Sequence, residues 1–311
     1  MNSRVPLAVS IPQTFPSGPP AHPVDAERIR RYLARAEALG FQGAWVVEQI
    51  VGTVPSLEPI ELLTYAAAVT ARLRLGAAVL LTALRTPLHT AKSLATLDQL
   101  SGGRLDVGVG LGGQPQVYPA FGLSAERRAA RFAEGVGLMK RLWTEPRVTF
   151  EGQFYRLKDI PMEPKPRQRP HPPIWFGAHH PNALQRAVAL GDAFMGAGSL
   201  STAKFAEEVT LLRRTLEAAG RDPAAFPVAK RVYIAVDSDR ARAGRRLTEW
   251  FGAFYHRPQL AAEVAVWGST DQCVEGLRAV IAAGAGMLML NPVFDDEEQL
   301  ERFAAELAPH L

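Results

Sequence analysis

The sequence predicts an α/β fold, a (β/α)8 barrel of the TIM type with a proline-rich insertion between strands four and five. Three observations carry this. Short apolar runs alternate with longer amphipathic stretches, eight times along the chain, and such alternation calls for a parallel sheet covered by helices. At 311 residues and 47% hydrophobic content, the chain can bury one core the size of a closed barrel. The alternation breaks at about residues 146–172, a stretch dense in proline. It reads as an insertion within a single domain spanning 1–311.

Strand one covers Val5 to Ile11 and is followed by a helix from Asp25 to Leu39, with Asp25 as its cap and Gly40 as its stop. Strand two, Gly43 to Glu48, leads to a helix from about Leu57 to Thr70. Strand three, Arg74 to Leu81, precedes a helix from Pro87 to Leu100 that carries proline in its first turn. Strand four is Arg104 to Gly110, and a long helix from Ser124 to Trp143 follows, with Ser124 as N-cap. The insertion holds two strand-like pieces, Val148 to Phe150 and Phe154 to Leu157, and then a run of prolines that favours an extended course. Strand five, Ile174 to Gly177, opens onto a helix at Pro181, and strand six, Ala193 to Ala197, onto a helix from Thr202 to Ala219. Strand seven is Val228 to Val236, with helices from Asp239 to Tyr255 and from Thr270 to Ala283 after it. Strand eight, Met287 to Asn291, and a helix from Asp295 to Leu307 complete the set. Closure fixes where function lies, because such barrels carry their sites at the carboxyl ends of the strands.

Composition narrows the function classes. The longest apolar run, Gly76 to Leu84, is far below the roughly 20 residues that span a bilayer. Met1 to Val9 is too short for a signal peptide. The expectation is a cytoplasmic protein with no membrane partner. Cys273 stands alone, which excludes an intrachain disulfide and a cysteine metal cluster; its helical spacing beside Val274 and Leu277 places it in the core. The net charge of +4 is spread over helices among acids, and Lys165, Arg167 and Arg169 alternate with proline rather than with aromatics. That pattern argues against a nucleic-acid partner. Gly108 to Gly113 approximates a dinucleotide fingerprint, but Pro115 and Pro119 stand where its helix would begin. It reads instead as a loop at the barrel mouth, with Gly113 against a cofactor or substrate. A metal-dependent hydrolase would need paired His and Asp at strand ends, and no such set is present.

The segment Ala91 to Gly113, AKSLATLDQLSGGRLDVGVGLGG, closely resembles the luciferase-like oxidoreductase family. Further matching stretches are LEPIELLTYAAAVTARLRLGAAVL at 57–80, AFGLSAERRAARFAEGVGLMKRLW at 120–143 and EPKPRQRPHPPIWFGAHHPNALQRAVALGDAFMGAG at 163–198. The resemblance covers most of the chain and implies FMN or coenzyme F420 as cofactor. It implies a small organic substrate, to be monooxygenated or to exchange a hydride with the ring. With no second nucleotide site, a separate flavin or F420 reductase would supply the reduced cofactor. A homodimer through the helices around strands one to three is also implied.

Site residues follow from the same resemblance. A non-prolyl cis peptide behind the cofactor ring would fall at Ala78-Val79. The cofactor phosphate would lie on the loops after strands five and six, Gly177, Ala178 and His179 with Ala197, Gly198 and Ser199, where glycine permits close approach and helix N-termini attract anions. Many relatives follow the acid that ends strand two with a His, and here the pair is Glu48-Gln49. Gln exchanges hydrogen bonds but carries no proton at neutral pH, so a binding barrel with reduced catalysis is the alternative reading. Gly113 occupies the place of a catalytic Glu in some F420-dependent sugar dehydrogenases, which argues against that activity.

Glu48, Gln49 and His22 are the candidate catalytic residues, with Gln13, His89 and Tyr118 also expected near the mouth. Glu48 is the leading ionisable group, because an apolar mouth (Trp45, Phe121, Trp175) would raise its pKa; Trp45 and Trp175 themselves are read as filling barrel or interlayer space. A salt bridge from Glu48 to Arg85 is the alternative role. Asp98 and Arg104 are expected to hold the intervening Ser-Gly-Gly turn.

Overall fold

The computed structural model describes residues 5–13, 24–52, 55–112 and 114–311. Two expected site residues, His22 and Gly113, lie outside the described residues. In chain order the elements are β1 (Leu7–Ser10), α1 (Ala26–Ala38), β2 (Gly43–Val46), α2 (Pro59–Val69), β3 (Arg74–Ala77), α3 (Pro87–Leu100), β4 (Leu105–Val109) and α4 (Arg128–Thr144). The insertion supplies β5 (Val148–Glu151) and β6 (Arg156–Ile160). Then come β7 (Ile174–Phe176), α5 (Pro181–Leu190), β8 (Ala193–Gly196), α6 (Thr202–Ala218) and β9 (Val228–Val236). The chain continues through α7 (Arg240–Tyr255), α8 (Leu260–Val264), β10 (Val266–Gly268), α9 (Thr270–Ala282), β11 (Met287–Asn291) and α10 (Asp296–Arg302).

The strands pair in parallel in the order β1-β2-β3-β4-β7-β8-β9-β11, and β11 returns to β1. The ring is therefore closed and eight-stranded, as the alternation in the sequence predicts. Each strand splits its side chains between two layers, the period-two consequence of the pleat. Leu7 and Val9 face outward into the large core shared with the helices. Ala8 faces inward, where it meets Trp45, Trp175, Ala193, Met195, Ala229 and Met289.

Trp45 and Trp175 fill this interior edge to face, with ring centroids 5.4 Å apart. Both belong to the filled inside of the barrel, as the reading that they fill barrel space expects, and neither lines the mouth. Glycine makes the room, since a Cβ on Gly76 would stand 2.4 Å from the Trp45 ring. The Trp175 indole donates to Asp106 at 3.2 Å, and Asp106 pairs with Arg74 at 2.6 Å.

Several boundaries differ from expectation for local reasons. Ser124 does not cap α4. Its hydroxyl accepts from the Glu126 N–H at 3.0 Å, Arg127 turns to φ +53°, and the helix starts at Arg128. Residues Pro115–Phe121 form a 3-10 turn with Tyr118 buried, its hydroxyl donating to the Leu111 carbonyl at 2.9 Å. β10 is an addition to the expected set and lies outside the ring, pairing with the carboxyl end of β9 from Val266–Ile234 to Gly268–Val236. The Ser269–Gln272 capping box that starts α9 follows directly.

The insertion forms an antiparallel hairpin, β5 with β6, and its tail is pinned to α3 and α4. Buried Asp98 accepts from both the backbone and side-chain nitrogens of Gln168 at 2.8 Å, and Lys165 donates to the Leu142 carbonyl at 2.9 Å. Asp98 thus clamps the insertion with its side chain, and it also holds the Ser-Gly-Gly turn as expected, its carbonyl accepting from the Ser101 hydroxyl at 3.1 Å and the Gly103 N–H at 2.8 Å, while Arg104 Nε donates to the Ser101 carbonyl at 2.6 Å. Arg104 gathers the end of α2, donating to the Ala67 and Thr70 carbonyls at 3.0 Å each. Among the described residues, no helix is long and apolar enough to cross a membrane.

Candidate active site

The loops after β2, β3 and β4, with the inner face of β9 and the end of α7, enclose a cavity of about 360 Å³. This is within the roughly 300–1,000 Å³ range of small-molecule pockets. It lies at the carboxyl end of the strands and is lined by Glu48, Gln49, Ala78, Val79, Leu111, Val117, Tyr118, Arg231, Phe254 and Tyr255, among others. A neighbouring cavity of about 260 Å³ shares Glu48 and Gln49 and reaches Glu58, Arg85 and Phe121.

The end of β2 is set by Gln13. Its buried amide accepts from the Val47 N–H at 2.9 Å and donates to the Val47 carbonyl at 2.5 Å, with a further bond to Ser56 at 3.2 Å. This fixes the next residue, Glu48, whose side chain is fully buried. The Glu48 carboxylate accepts from the Leu81 N–H and from Arg85. Arg85 also reaches Glu58, which caps α2 through the Ile60 N–H at 2.6 Å. One guanidinium thus serves two carboxylates. Burial pushes the Glu48 pKa up, and Arg85 and the Leu81 N–H offset that only in part. Both sequence readings of Glu48, raised acid and ion-pair partner, describe the same atom.

Gln49 is half-buried, and its carbonyl oxygen has no hydrogen-bond partner among the described residues. The chain curls over it at Gly52, where a Cβ would stand 2.1 Å from the Gln49 amide nitrogen. An acceptor that is sheltered but unpaired is costly unless a ligand donates to it.

The Ala78-Val79 peptide bond is cis, at the position expected for the cofactor platform. Val79 occupies space that two neighbouring strands leave open. A Cβ on Gly110 would lie 2.4 Å from one Val79 methyl, and a Cβ on Gly177 would lie 3.0 Å from the other. The missing side chains seat Val79 so that it and Ala78 form an apolar wall of the cavity. A flat apolar ring fits against this wall.

The two expected phosphate loops border this cavity from outside its lining. Gly177 touches Val79, and Gly198 packs so tightly that a Cβ would be 2.8 Å from the Tyr233 ring and 3.3 Å from Arg231. Ala178 is buried, Ala197 and Ser199 are half-buried, and His179 is exposed with Nδ1 3.3 Å from Glu208. His180 caps α5 by accepting from the Asn182 N–H at 3.2 Å. His89 is exposed on α3 and does not line the cavity. Behind the second loop sits Lys230, buried, donating to the Ala197 and Leu200 carbonyls. Burial lowers its pKa to about 7, Glu208 opposes that fall and Arg231 adds to it.

Arg231 and Tyr255 are the lining residues that sequence reasoning missed. The signal for Arg231 is its place in VAKRVYIAV: with Ala229 inside the barrel, period two turns Arg231 and Tyr233 inward as well.

A closed parallel barrel whose strand ends surround a cavity with an acid, an amide and a guanidinium defines a (β/α)8 barrel enzyme. The family model described as luciferase-like monooxygenase matches residues 5–286, and the chain belongs to that family of oxidoreductases. It is similar to the F420-dependent glucose-6-phosphate dehydrogenase of Kineococcus radiotolerans, at 31% identity over 91% of this chain and 93% of that protein. It is also similar to the FMNH(2)-dependent dimethylsulfone monooxygenase of Pseudomonas putida, at 37% identity over 37% of this chain and 32% of that one. Among solved structures, the monooxygenase RslO1 of Streptomyces bottropensis superposes with a TM-score of 0.84 and 28% identity, covering 98% of this chain and 99% of that one.

Proposed function

We propose that the cavity takes the ring of FMN or coenzyme F420 against Ala78 and Val79, and that the protein oxidises, reduces or monooxygenates a small organic substrate there. The observation that carries this is the Val79 wall of the cavity, given room by Gly110 and Gly177, in a cavity that Gln49 also lines. When bound, such a ring supplies hydride transfer or, as reduced flavin, oxygen activation.

The chain's own residues have separable tasks in this reading. Val79, Leu111 and Phe254 exclude water. Gln49 accepts a hydrogen bond from the ring edge or the substrate. Glu48 holds the Leu81 backbone and keeps Arg85 in place. The loops Gly177–His179 and Ala197–Ser199 offer backbone N–H groups to the phosphate, with Lys230 holding the second loop from behind. Gly113, at the position of an expected acid, favours a substrate other than a sugar. A separate reductase supplying the reduced cofactor, and a pair of subunits joined through α1 to α3, belong to the same proposal.

The test is titration of the purified apoprotein with FMN, FMNH2 and F420 by tryptophan fluorescence, followed by single-turnover reduction and oxygen uptake. Binding of one of them with turnover is the expected result. Failure of all three to bind overturns the proposal, and binding without turnover points to the barrel with reduced catalysis.

A further inference from the structure

Among the described residues Arg231 is the one guanidinium that lines the larger cavity, and its hydrogen-bond partners are neutral. Its Nε donates to Asn291 at 2.7 Å and one terminal nitrogen donates to the Tyr233 hydroxyl at 2.6 Å. Among the described residues no carboxylate pairs with it, and the nearby acids Glu48 and Glu58 are engaged by Arg85. A half-buried cation held only by neutral acceptors keeps its charge for something that enters the cavity.

The tyrosines extend the same donor array. Tyr233 is fully buried and its oxygen lies 2.7 Å from that of Tyr255. Arg231 already donates to the Tyr233 oxygen, so the buried Tyr233 proton is satisfied by passing to Tyr255. That leaves the Tyr255 proton available to the cavity it lines. Val79, Leu111 and Val117 line the same cavity and are apolar.

Resting on the function proposed above, we infer that Arg231 and the Tyr255 hydroxyl bind an oxyanion, a carboxylate, sulfonate or phosphate group, whose apolar remainder lies along Val79 and Leu111. That group belongs either to the substrate or to the cofactor, and the two sources separate by experiment. Hexanoate and hexanol form a matched pair for the first, FMN and riboflavin for the second, with binding to the full-length protein followed by calorimetry. The wild type is expected to bind hexanoate at least tenfold more tightly than hexanol. Arg231→Gln should abolish that preference while changing hexanol binding less than twofold. Arg231→Lys should keep part of it, and Tyr255→Phe should lower hexanoate affinity about threefold.

If Arg231→Gln instead lowers the preference for FMN over riboflavin at least tenfold and spares hexanoate, the oxyanion is the cofactor's. Unchanged preferences in both arms overturn the inference. Arg231→Lys and Tyr255→Phe keep the test decisive should the Gln variant fail to fold. Because hexanoate is titrated into the apoprotein, loss of cofactor binding would sink the proposed function without touching this result.

Discussion

Two side chains, one behind a mouth loop and one lining the cavity, show how surroundings set chemistry. Lys230 has a folded-state pKa of about 7 against an ordinary 10.5. Between those values the unfolded chain binds the extra proton, so stability rises with pH across this window and levels off above it. Compared with Lys230→Met, the wild type should gain stability at up to about 1.4 kcal/mol per pH unit between pH 7 and 10, read by urea unfolding at a series of pH values. A flat difference would mean that Lys230 keeps its proton in the folded barrel across this window, as it does in the unfolded chain. Gln49 leads to a kinetic expectation. Gln49→His should introduce an ionisation near pH 6.5 into kcat/KM where the wild type has none contributed by this position. The cis Ala78-Val79 bond was legible, because it lies in the matched segment 57–80. Arg231 and Tyr255 were not, since only closure of the barrel brings β9 and the end of α7 to the same mouth.

Helices and strands are fixed by contacts of very different sequence range. Local ones were readable: Asp25 caps α1 through the Arg28 N–H at 2.9 Å, and Pro87 opens α3. Those that depend on tertiary neighbours were not. β10 is three residues long and exists because β9 extends beyond the ring to receive it. The Asp98 clamp on Gln168 joins elements seventy positions apart in sequence. Asp98→Ala should cost about 1–3 kcal/mol, since it removes the acceptor of two half-buried Gln168 donors, of which the side-chain amide keeps the Leu105 carbonyl, while cofactor affinity changes less than twofold. Denaturant unfolding and cofactor titration on the same variant check both halves. Gly108 is more stringent. A Cβ there would stand 1.6 Å from the Ala77 carbonyl oxygen, so Gly108→Ala should separate β3 from β4 and leave little folded protein by circular dichroism.

At the scale of the molecule, the repeated strand-helix rhythm predicted the closed ring, because eight parallel strands with helices between them have few other ways to cover both faces. Trp45 and Trp175 fill the ring, as the sequence also suggests, because small inward residues such as Gly76 and Ala8 leave them space. A ligand bound only by the folded barrel adds to its stability by mass action. FMN or F420 at one hundred times its Kd should contribute about 2.7 kcal/mol, and Tm should rise by several degrees in a thermal melt. The seating of Val79 between two glycines also bears on how this sequence can change over generations. A side chain at Gly110 or Gly177 collides with Val79 as it stands, whereas a smaller residue at 79 opens the space first. Val79→Ala followed by Gly110→Ala is a passable route and the reverse order is not, so these positions are expected to change together and in one direction.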